Sequence, residues 1–218
     1  MPEVSIIVPV YNEQENIIPF YTEINKNVLF DFELIFIDDG STDATFHEIV
    51  QISATAHKVK CISFSRNFGH QNALMAGMQY AQGKYIITMD GDLQDPPALI
   101  PEILKNLDNG YDIVFTKRSI DKNISFFKKG FSKLFYRLMS FLSDTHIEPD
   151  SADYKGFTQK INQTILQFTE RDIFLRGIFS WIGFSKTVIT FDRPGRLHGN
   201  TKYSYAKMIK LGLSATTS

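Results

Sequence analysis

Five short apolar runs, each followed by a polar cluster, constrain this chain more than any other feature. Val4–Val10, Phe32–Asp38, Val59–Phe64, Tyr85–Met89 and Ile113–Thr116 are continuous in hydrophobicity rather than alternating. Runs of about four to eight such residues read as strands buried on both faces. Between them lie segments of helical length: Glu15–Lys26, Ala44–Thr55, His70–Ala81 and Pro97–Asn109. Ser41 or Thr42 is expected to cap the second helix, Gly83 to close the third and Gly110 to stop the fourth. Strands alternating with helices in this way predict an α/β fold, with a mainly parallel sheet flanked by helices.

In such sheets ligands bind beyond the carboxyl ends of the strands. Tyr11-Asn12-Glu13, Asp38-Asp39, Arg66-Asn67 and Asp90-Gly91-Asp92 all fall there, so several strands aim polar ends at one rim. The most informative stretch is Met89-Asp90-Gly91-Asp92-Leu93-Gln94. Two carboxylates one residue apart suit a hard divalent cation carrying a diphosphate, because Mg²⁺ takes one or two protein carboxylates plus phosphate oxygens. A lone Asp-x-Asp is more often an acidic turn, and the converging clusters favour the functional reading here. Neither Gly-x-Gly-x-x-Gly nor Gly-x-x-x-x-Gly-Lys-Ser/Thr occurs. Phosphates must then be neutralised by metal and basic side chains rather than by a glycine cradle.

With 218 residues, 43% hydrophobic and 22% charged, the chain suits one large domain or one domain with an appended element. A net charge of −1 argues against a nucleic-acid partner. The single cysteine, Cys61, reads as a buried structural thiol. Met1-Pro2-Glu3-Val4 runs straight into a strand without a signal-peptide pattern, and no apolar stretch reaches bilayer-spanning length. The expectation is a cytoplasmic chain or one at the cytoplasmic membrane face.

After residue 118 the pattern changes. Ser125–Leu142 is predicted to be an amphipathic helix, with Phe127, Phe131, Leu134, Phe135, Leu138 and Leu142 on one side and Lys129, Lys133 and Arg137 as a basic stripe. Taken alone, that stripe reads as a solvated face; the functional alternative is a helix on an anionic membrane or near a phosphate. Residues 145–160 read as a loop carrying Glu148, Asp150, Asp153 and Lys155. Thr187–Thr190 reads as a late strand, Arg193–Gly199 as a loop and Tyr203–Leu213 as a final helix. His47, His57 and His146 read as surface residues, and Trp181 as core. His70, opening a helix, has a structural or capping role as readily as an approach to phosphate, and His198 is left open.

These stretches together resemble the family 2 inverting glycosyltransferases. The carrying segments are Ser5–Glu13, Ile37–Asp43, Ser65–Gly69, Met89–Pro97, Phe174–Gly177 with Trp181–Gly183, and Arg196–Tyr203. Asp92-Leu-Gln-Asp-Pro-Pro97 and Arg196–Tyr203 resemble most the polyprenyl-phosphate branch, the dolichol-phosphate mannose synthases and bactoprenol glucosyltransferases. The resemblance covers essentially the whole chain. It implies a GT-A (Rossmann-like) fold with a C-terminal acceptor-side extension: 1–118 as the nucleotide-sugar half and 119–218 as the acceptor-side half of one domain. It implies that Pro9, Tyr11 and Glu13 line the nucleotide pocket, and that Asp38 or Asp39 accepts hydrogen bonds from base or ribose. Asp90, Asp92 and Gln94 would hold Mg²⁺ or Mn²⁺ and the diphosphate; Arg196 and Lys202 would contact diphosphate or acceptor phosphate. Arg66, Asn67, Lys129 and Arg176 complete the candidate substrate contacts, and Asp92, Asp153 and Arg196 the candidate catalytic set. Asp153-Tyr154-Lys155 stands where the bacterial branch carries Asp-Phe-Arg, so the planar fork of an arginine is replaced by a lysine. Members usually continue into membrane helices. This chain stops at Leu213–Ser218, where such a tail would begin, so the expectation is either a truncated chain or a protein that uses surface association alone, at the cytoplasmic face of the plasma membrane.

The expected reaction is transfer of a hexose, with UDP-glucose favoured on resemblance, to a polyprenyl phosphate with inversion. An anionic acceptor needs little base help but brings a second phosphate to one site. Lys117, Arg118, Lys128, Lys129, Lys133, Arg171, Arg176 and Arg196 offer the cations that such crowding calls for. The rival enzyme is a soluble family 2 glycosyltransferase with a saccharide acceptor, for which a positioned base is required. A pyrophosphorylase lacks its glycine-rich start here, and a non-catalytic nucleotide-binding scaffold would not be expected to keep Asp90, Asp92 and Arg196 together. An oligomer is compatible with the sequence.

Overall fold

The computed structural model describes residues 1–119, 151–168 and 174–192. The predicted helices 125–142 and 203–213 and the predicted loop 193–199 lie outside them. So do Lys128, Lys129, Lys133, His146, Arg171, Arg196, His198 and Lys202. The described elements are β1 (Val4–Val10), α1 (Gln14–Asn27), β2 (Phe32–Asp38), α2 (Thr45–Thr55), β3 (Val59–Ser63), α3 (His70–Tyr80) and β4 (Tyr85–Thr88). A single 3₁₀ turn (Pro97–Leu99) leads into α4 (Ile100–Asp108), followed by β5 (Ile113–Arg118), β6 (Ser151–Thr158), α5 (Gln159–Ile165), α6 (Leu175–Trp181) and β7 (Lys186–Phe191).

The seven described strands join one sheet in the order β3-β2-β1-β4-β6-β5-β7. β1 pairs in parallel with β2 and β4, β2 with β3, and β5 with β7. Among these strands β6 alone runs antiparallel, wedged between β4 and β5. The inner strands β1, β2 and β4 and most of β5 are buried on both faces, which is why they read as unbroken apolar runs. On one face α1, α2 and α4 bury Ile17, Phe20, Ile24, Ile49, Ile103 and Leu107 against Val8, Leu34, Phe36 and Ile87. On the other, α3, α5 and α6 bury Leu74, Met78, Ile161, Leu175 and Phe179 against Ile7, Ile35, Ile86 and Phe157. Each fully buried side chain of this size contributes roughly 1.5–3 kcal/mol.

The structure corrects several sequence expectations. Residues 151–158, read as part of a loop, form β6. It carries no apolar run because Asp153, Lys155 and Gly156 interrupt it. Tyr154 and Gly156 turn toward α4, where a Cβ on Gly156 would collide with Ile103. Lys155 and Phe157 turn toward Phe179 of α6. Gly83 does not close α3, whose C-cap is Ala81; it permits close approach, since a Cβ there would sit 2.5 Å from the Ser5 amide nitrogen. Neither Ser41 nor Thr42 caps α2: Ala44 is the N-cap residue and Asp43 Oδ1 accepts the Thr45 N–H. Trp181 is 65% exposed, edge-on to Phe168, and not core. No helix among the described residues is long and apolar enough to cross a membrane.

One polar network ties down the sheet at the amino ends of its strands. Ser5 Oγ donates to Glu33 Oε1 at 2.5 Å and accepts the Gly83 N–H at 2.7 Å. Lys60 Nζ donates to Glu33 Oε2 at 2.6 Å, and the Gln82 N–H to Oε1 at 2.7 Å. Burial pushes the Glu33 carboxyl up, but donation from Lys60, Ser5 and Gln82 outweighs it and holds the group below its ordinary value. A depressed carboxylate stabilises the fold above its unfolded pKa and loses that contribution as pH falls through its folded pKa. Glu33→Gln is therefore expected to lower stability at pH 7 by about 1–2 kcal/mol and to flatten the loss of stability below pH 4.5. Urea melts of both proteins across that range would check it; parallel curves would mean that Glu33 contributes nothing to the acid response.

Candidate active site

The carboxyl ends of β1 and β2 are laced together by their loops. Asn12, with a positive φ of 52°, donates its N–H to Ser41 Oγ and accepts the Thr42 N–H on its side-chain oxygen. The Glu13 N–H bonds Thr45 Oγ1, and the Ala44 N–H bonds Gln14 Oε1. The Glu13 carboxylate itself receives Asn16 Nδ2 at 2.6 Å. Pro9 is buried within β1 opposite Ile37, and Tyr11 follows at the strand's end.

Asp38 and Asp39 are nearly inaccessible and are engaged within the protein. Asp38 accepts the Ser41 N–H and the Ser63 hydroxyl. Asp39 accepts the Phe68 and Gly69 N–H groups at 2.7 and 2.9 Å, and burial pushes its carboxyl up. Each carboxylate has acceptor capacity beyond these bonds, but in this arrangement both organise loops. Just after them, Gly40 takes a positive φ of 68°, and a Cβ there would run into the Arg66 backbone. Arg66 and Asn67 are exposed, and the Arg66 guanidinium lies 4.1 Å from the Phe68 ring centroid.

Asp90, Asp92 and Gln94 stand on the turn that follows β4. Gly91 lets this turn close on β1, since a Cβ would lie 2.8 Å from Val10 Cγ1. Leu93 holds a φ of 60°, a costly conformation for a branched side chain and one that clusters at functional turns. The Gln94 N–H bonds Asp92 Oδ1 at 3.1 Å. The Asp90 N–H bonds Asp95 Oδ2 at 3.1 Å, and Arg118 reaches Asp95 Oδ1 at 3.4 Å. Asp95 is wholly buried; burial first, and then the charge of Asp90, push its carboxyl up to about 7. Burial also raises Asp90, His70 opposes this, and Asp153 and Asp92 add repulsion, although 35% of the Asp90 side chain reaches solvent. Among the described residues no three His, Cys, Asp or Glu side chains form a group able to hold a metal alone. Crowded hard oxygen donors, two of them one residue apart, fit a divalent cation whose coordination is completed by substrate phosphate.

Beside this turn lies a second charged cluster. The Asp153 side chain, 11% exposed, accepts Arg176 Nε at 2.8 Å on Oδ1 and a terminal guanidinium nitrogen at 2.6 Å on Oδ2. Lys155 Nζ stands 3.8 Å from Oδ1, and His70 Nε2 stands 3.5 Å from Oδ2 and 3.8 Å from Asp90 Oδ1. One imidazole therefore joins the two clusters through electrostatics, without a hydrogen bond from Nε2. Burial would raise Asp153, but Arg176, His70 and Lys155 hold it well below the usual carboxylate range. Burial lowers His70, yet Asp153 and Asp90 leave it raised overall. The Thr88 hydroxyl fixes the Asp153 carbonyl at 2.7 Å.

Asp90, Asp153 and Arg176 are thus brought together as candidates. His70, weighed against a capping role in the sequence, joins them as the link; Lys155, met in the sequence as a lysine in place of an arginine, is brought into the cluster by β6, and Asp95 emerges only from the fold. Cys61 is partly buried and its thiol is pushed up to about 12 by burial and Asp38, as suits an inert thiol.

A family model described as glycosyl transferase family 2 matches residues 5–166. The chain belongs to glycosyl transferase family 2. Among curated family members, the uncharacterized glycosyltransferase YkcC of Bacillus subtilis (strain 168) is 41% identical over 216 residues, covering 98% of this chain and 67% of that protein. The prophage bactoprenol glucosyl transferase homolog of Escherichia coli (strain K12) is 35% identical over 219 residues, covering 99% and 72%. The chain thus spans about two thirds of the length of such relatives. Among solved structures, the mannosyltransferase PcManGT from Pyrobaculum calidifontis, in complex with GDP-Man and Mn²⁺, superposes with a TM-score of 0.62 at 17% identity, covering 90% of this chain and 58% of that one. Glucosyl-3-phosphoglycerate synthase from Mycobacterium tuberculosis, with Mn²⁺, UDP and glucosyl-3-phosphoglycerate, gives 0.62 at 15% identity, covering 98% and 76%. These likenesses show the fold, the mostly parallel GT-A arrangement. The protein is a glycosyltransferase.

Proposed function

We propose that this glycosyltransferase moves a hexose from a nucleotide diphosphate sugar, UDP-glucose being favoured, to a polyprenyl phosphate with inversion, at the cytoplasmic face of the plasma membrane. The observation that carries this reading is the Asp153 carboxylate, gripped by Arg176, Lys155 and His70 beside the Asp90–Asp92 turn. A saccharide hydroxyl must lose its proton to attack, and that calls for an available base. Asp153 is a poor one: both oxygens are committed to cations and its proton affinity is depressed. A phosphate monoester, mostly ionised at neutral pH, needs none, and a surplus of cations is what it needs instead. The name of the E. coli relative, a bactoprenol glucosyl transferase homolog, supports the same class.

In this reading Asp90, Asp92 and Gln94 hold Mg²⁺ or Mn²⁺, which when bound supplies Lewis-acid stabilisation of the departing diphosphate. Pro9, Tyr11, Glu13, Asp38, Asp39, Arg66 and Asn67 form the nucleotide side of the rim. Arg176 and His70 steer the acceptor phosphate; Arg196 and Lys202 are assigned phosphate contacts from the family resemblance, and Lys129 from the basic stripe of the predicted helix 125–142. An acceptor oxygen bonds to the anomeric carbon, the bond from that carbon to the diphosphate oxygen breaks, and the nucleoside diphosphate leaves with the electron pair. One displacement inverts that carbon.

The test is incubation with radiolabelled UDP-glucose or GDP-mannose and undecaprenyl phosphate, with Mn²⁺, Mg²⁺ or EDTA, followed by organic extraction. Label should enter the organic phase from UDP-glucose only when metal is present. Donor hydrolysis without lipid product would sink the acceptor assignment.

A further inference from the structure

Lys155 is the most deeply buried cation of the described sheet, its side chain 2% exposed, and no substrate can touch it. It points into the apolar layer where Phe157 and Phe179 pack, with Nζ 4.8 Å from the Phe179 ring centroid. An ammonium in such a place is disfavoured unless it is compensated, and burial lowers Lys155 while Asp153 opposes that. Fold stability alone does not call for it, since Asp153 already has a bidentate partner in Arg176.

We propose that Lys155 is a positioning residue for the acceptor phosphate, acting from beneath through Asp153 on Arg176. This rests on the phosphate-acceptor reading above. Arg176 Nε hydrogen-bonds Asp153 Oδ1 and Lys155 Nζ lies 3.8 Å from the same oxygen, so the lysine attracts the carboxylate electrostatically from the core side while Arg176, 38% exposed, meets solvent on the other. The charge count matters as much as the geometry. Arg176 and Asp153 cancel; Lys155 leaves the cluster with a net positive charge that does not depend on the state of His70. A site that must receive a phosphate next to a bound diphosphate needs that surplus. Because the lysine is shielded from solvent, salt screens it little.

The experiment compares wild type with Lys155→Met and Lys155→Arg. Binding of geranyl phosphate and of UDP with Mn²⁺ is measured by calorimetry, and Tm is recorded. Lys155→Met should weaken geranyl phosphate about tenfold, the effect of one unit charge at roughly 10 Å through an effective dielectric of about 20. UDP affinity should stay within about twofold and Tm should stay close to wild type, because Asp153 keeps its bidentate partner Arg176 and methionine suits the apolar surroundings. Lys155→Arg should restore most of the phosphate affinity. Equal weakening of both ligands with a lowered Tm would mean a structural role, and unchanged phosphate binding no role; either overturns the proposal. Wild type that neither binds geranyl phosphate nor glycosylates a lipid phosphate would instead sink the reading on which it rests.

Discussion

Asp92→Asn is expected to cut sugar transfer by about a thousandfold or more, which is several kcal/mol of lost charge stabilisation at about 1.4 kcal/mol per decade. The substitution keeps the side-chain oxygen that accepts the Gln94 N–H, so the turn after β4 persists. What disappears is one of two negative charges for the cation. The fold should not suffer. Asp90 and Asp95 are both pushed up by burial and by neighbouring carboxylates, Asp92 among them, so removing its charge relieves repulsion. Tm should hold or rise slightly while Mn²⁺ affinity in the presence of UDP, followed by electron paramagnetic resonance, collapses. Intact Mn²⁺ binding would remove Asp92 from the metal site.

Asp153→Asn should fail differently, losing stability and activity together. The amide cannot balance the charges of Arg176 and the buried Lys155. Removing one member of a buried ion pair costs about 3–5 kcal/mol, and the partial exposure of Arg176 brings the expected loss nearer to about 2–4 kcal/mol. Turnover should fall about a hundredfold or more, as expected when charged groups at a reacting centre lose their fixed placement. Urea unfolding and steady-state rates would check both parts. A variant with wild-type stability would show that the cations are held by something other than Asp153.

The two clusters differ in how much of them the chain reveals. The Asp90–Asp92 turn is local: both carboxylates, the glycine between them and the apolar strand before them are contiguous. Strands β1, β2, β4 and β5 are legible for the same reason, since burial on both faces leaves continuous runs such as Leu34-Ile35-Phe36-Ile37 in β2.

The second cluster is not local. Asp153 and Lys155 sit on β6, His70 opens α3 and Arg176 lies in α6. β6 itself escapes a reading based on apolar runs because Asp153 and Lys155 occupy positions where a buried strand normally carries hydrophobic residues. The charges that hide the strand are those that build the cluster. Asp95 escapes for a related reason: nothing in Gln94-Asp95-Pro96 announces that its carboxylate turns inward to hold the Asp90 N–H. Trp181 misleads in the other direction, since a large aromatic suggests core and this one packs edge-on at the surface. Asp38 and Asp39 are legible as rim residues, yet their bonds to Ser41, Ser63, Phe68 and Gly69 follow from loop geometry that composition does not encode.

Whether the site receives an ionised phosphate and offers no base to a hydroxyl is best decided by a side-by-side assay of undecaprenyl phosphate and undecaprenol. Each is offered to the protein with UDP-glucose and Mn²⁺. Glucosylation of the phosphate alone is expected, because the alcohol keeps its proton and Asp153 cannot take it. Comparable glucosylation of the alcohol would contradict the phosphate-acceptor reading, since it would require a base that the Asp153 cluster does not supply.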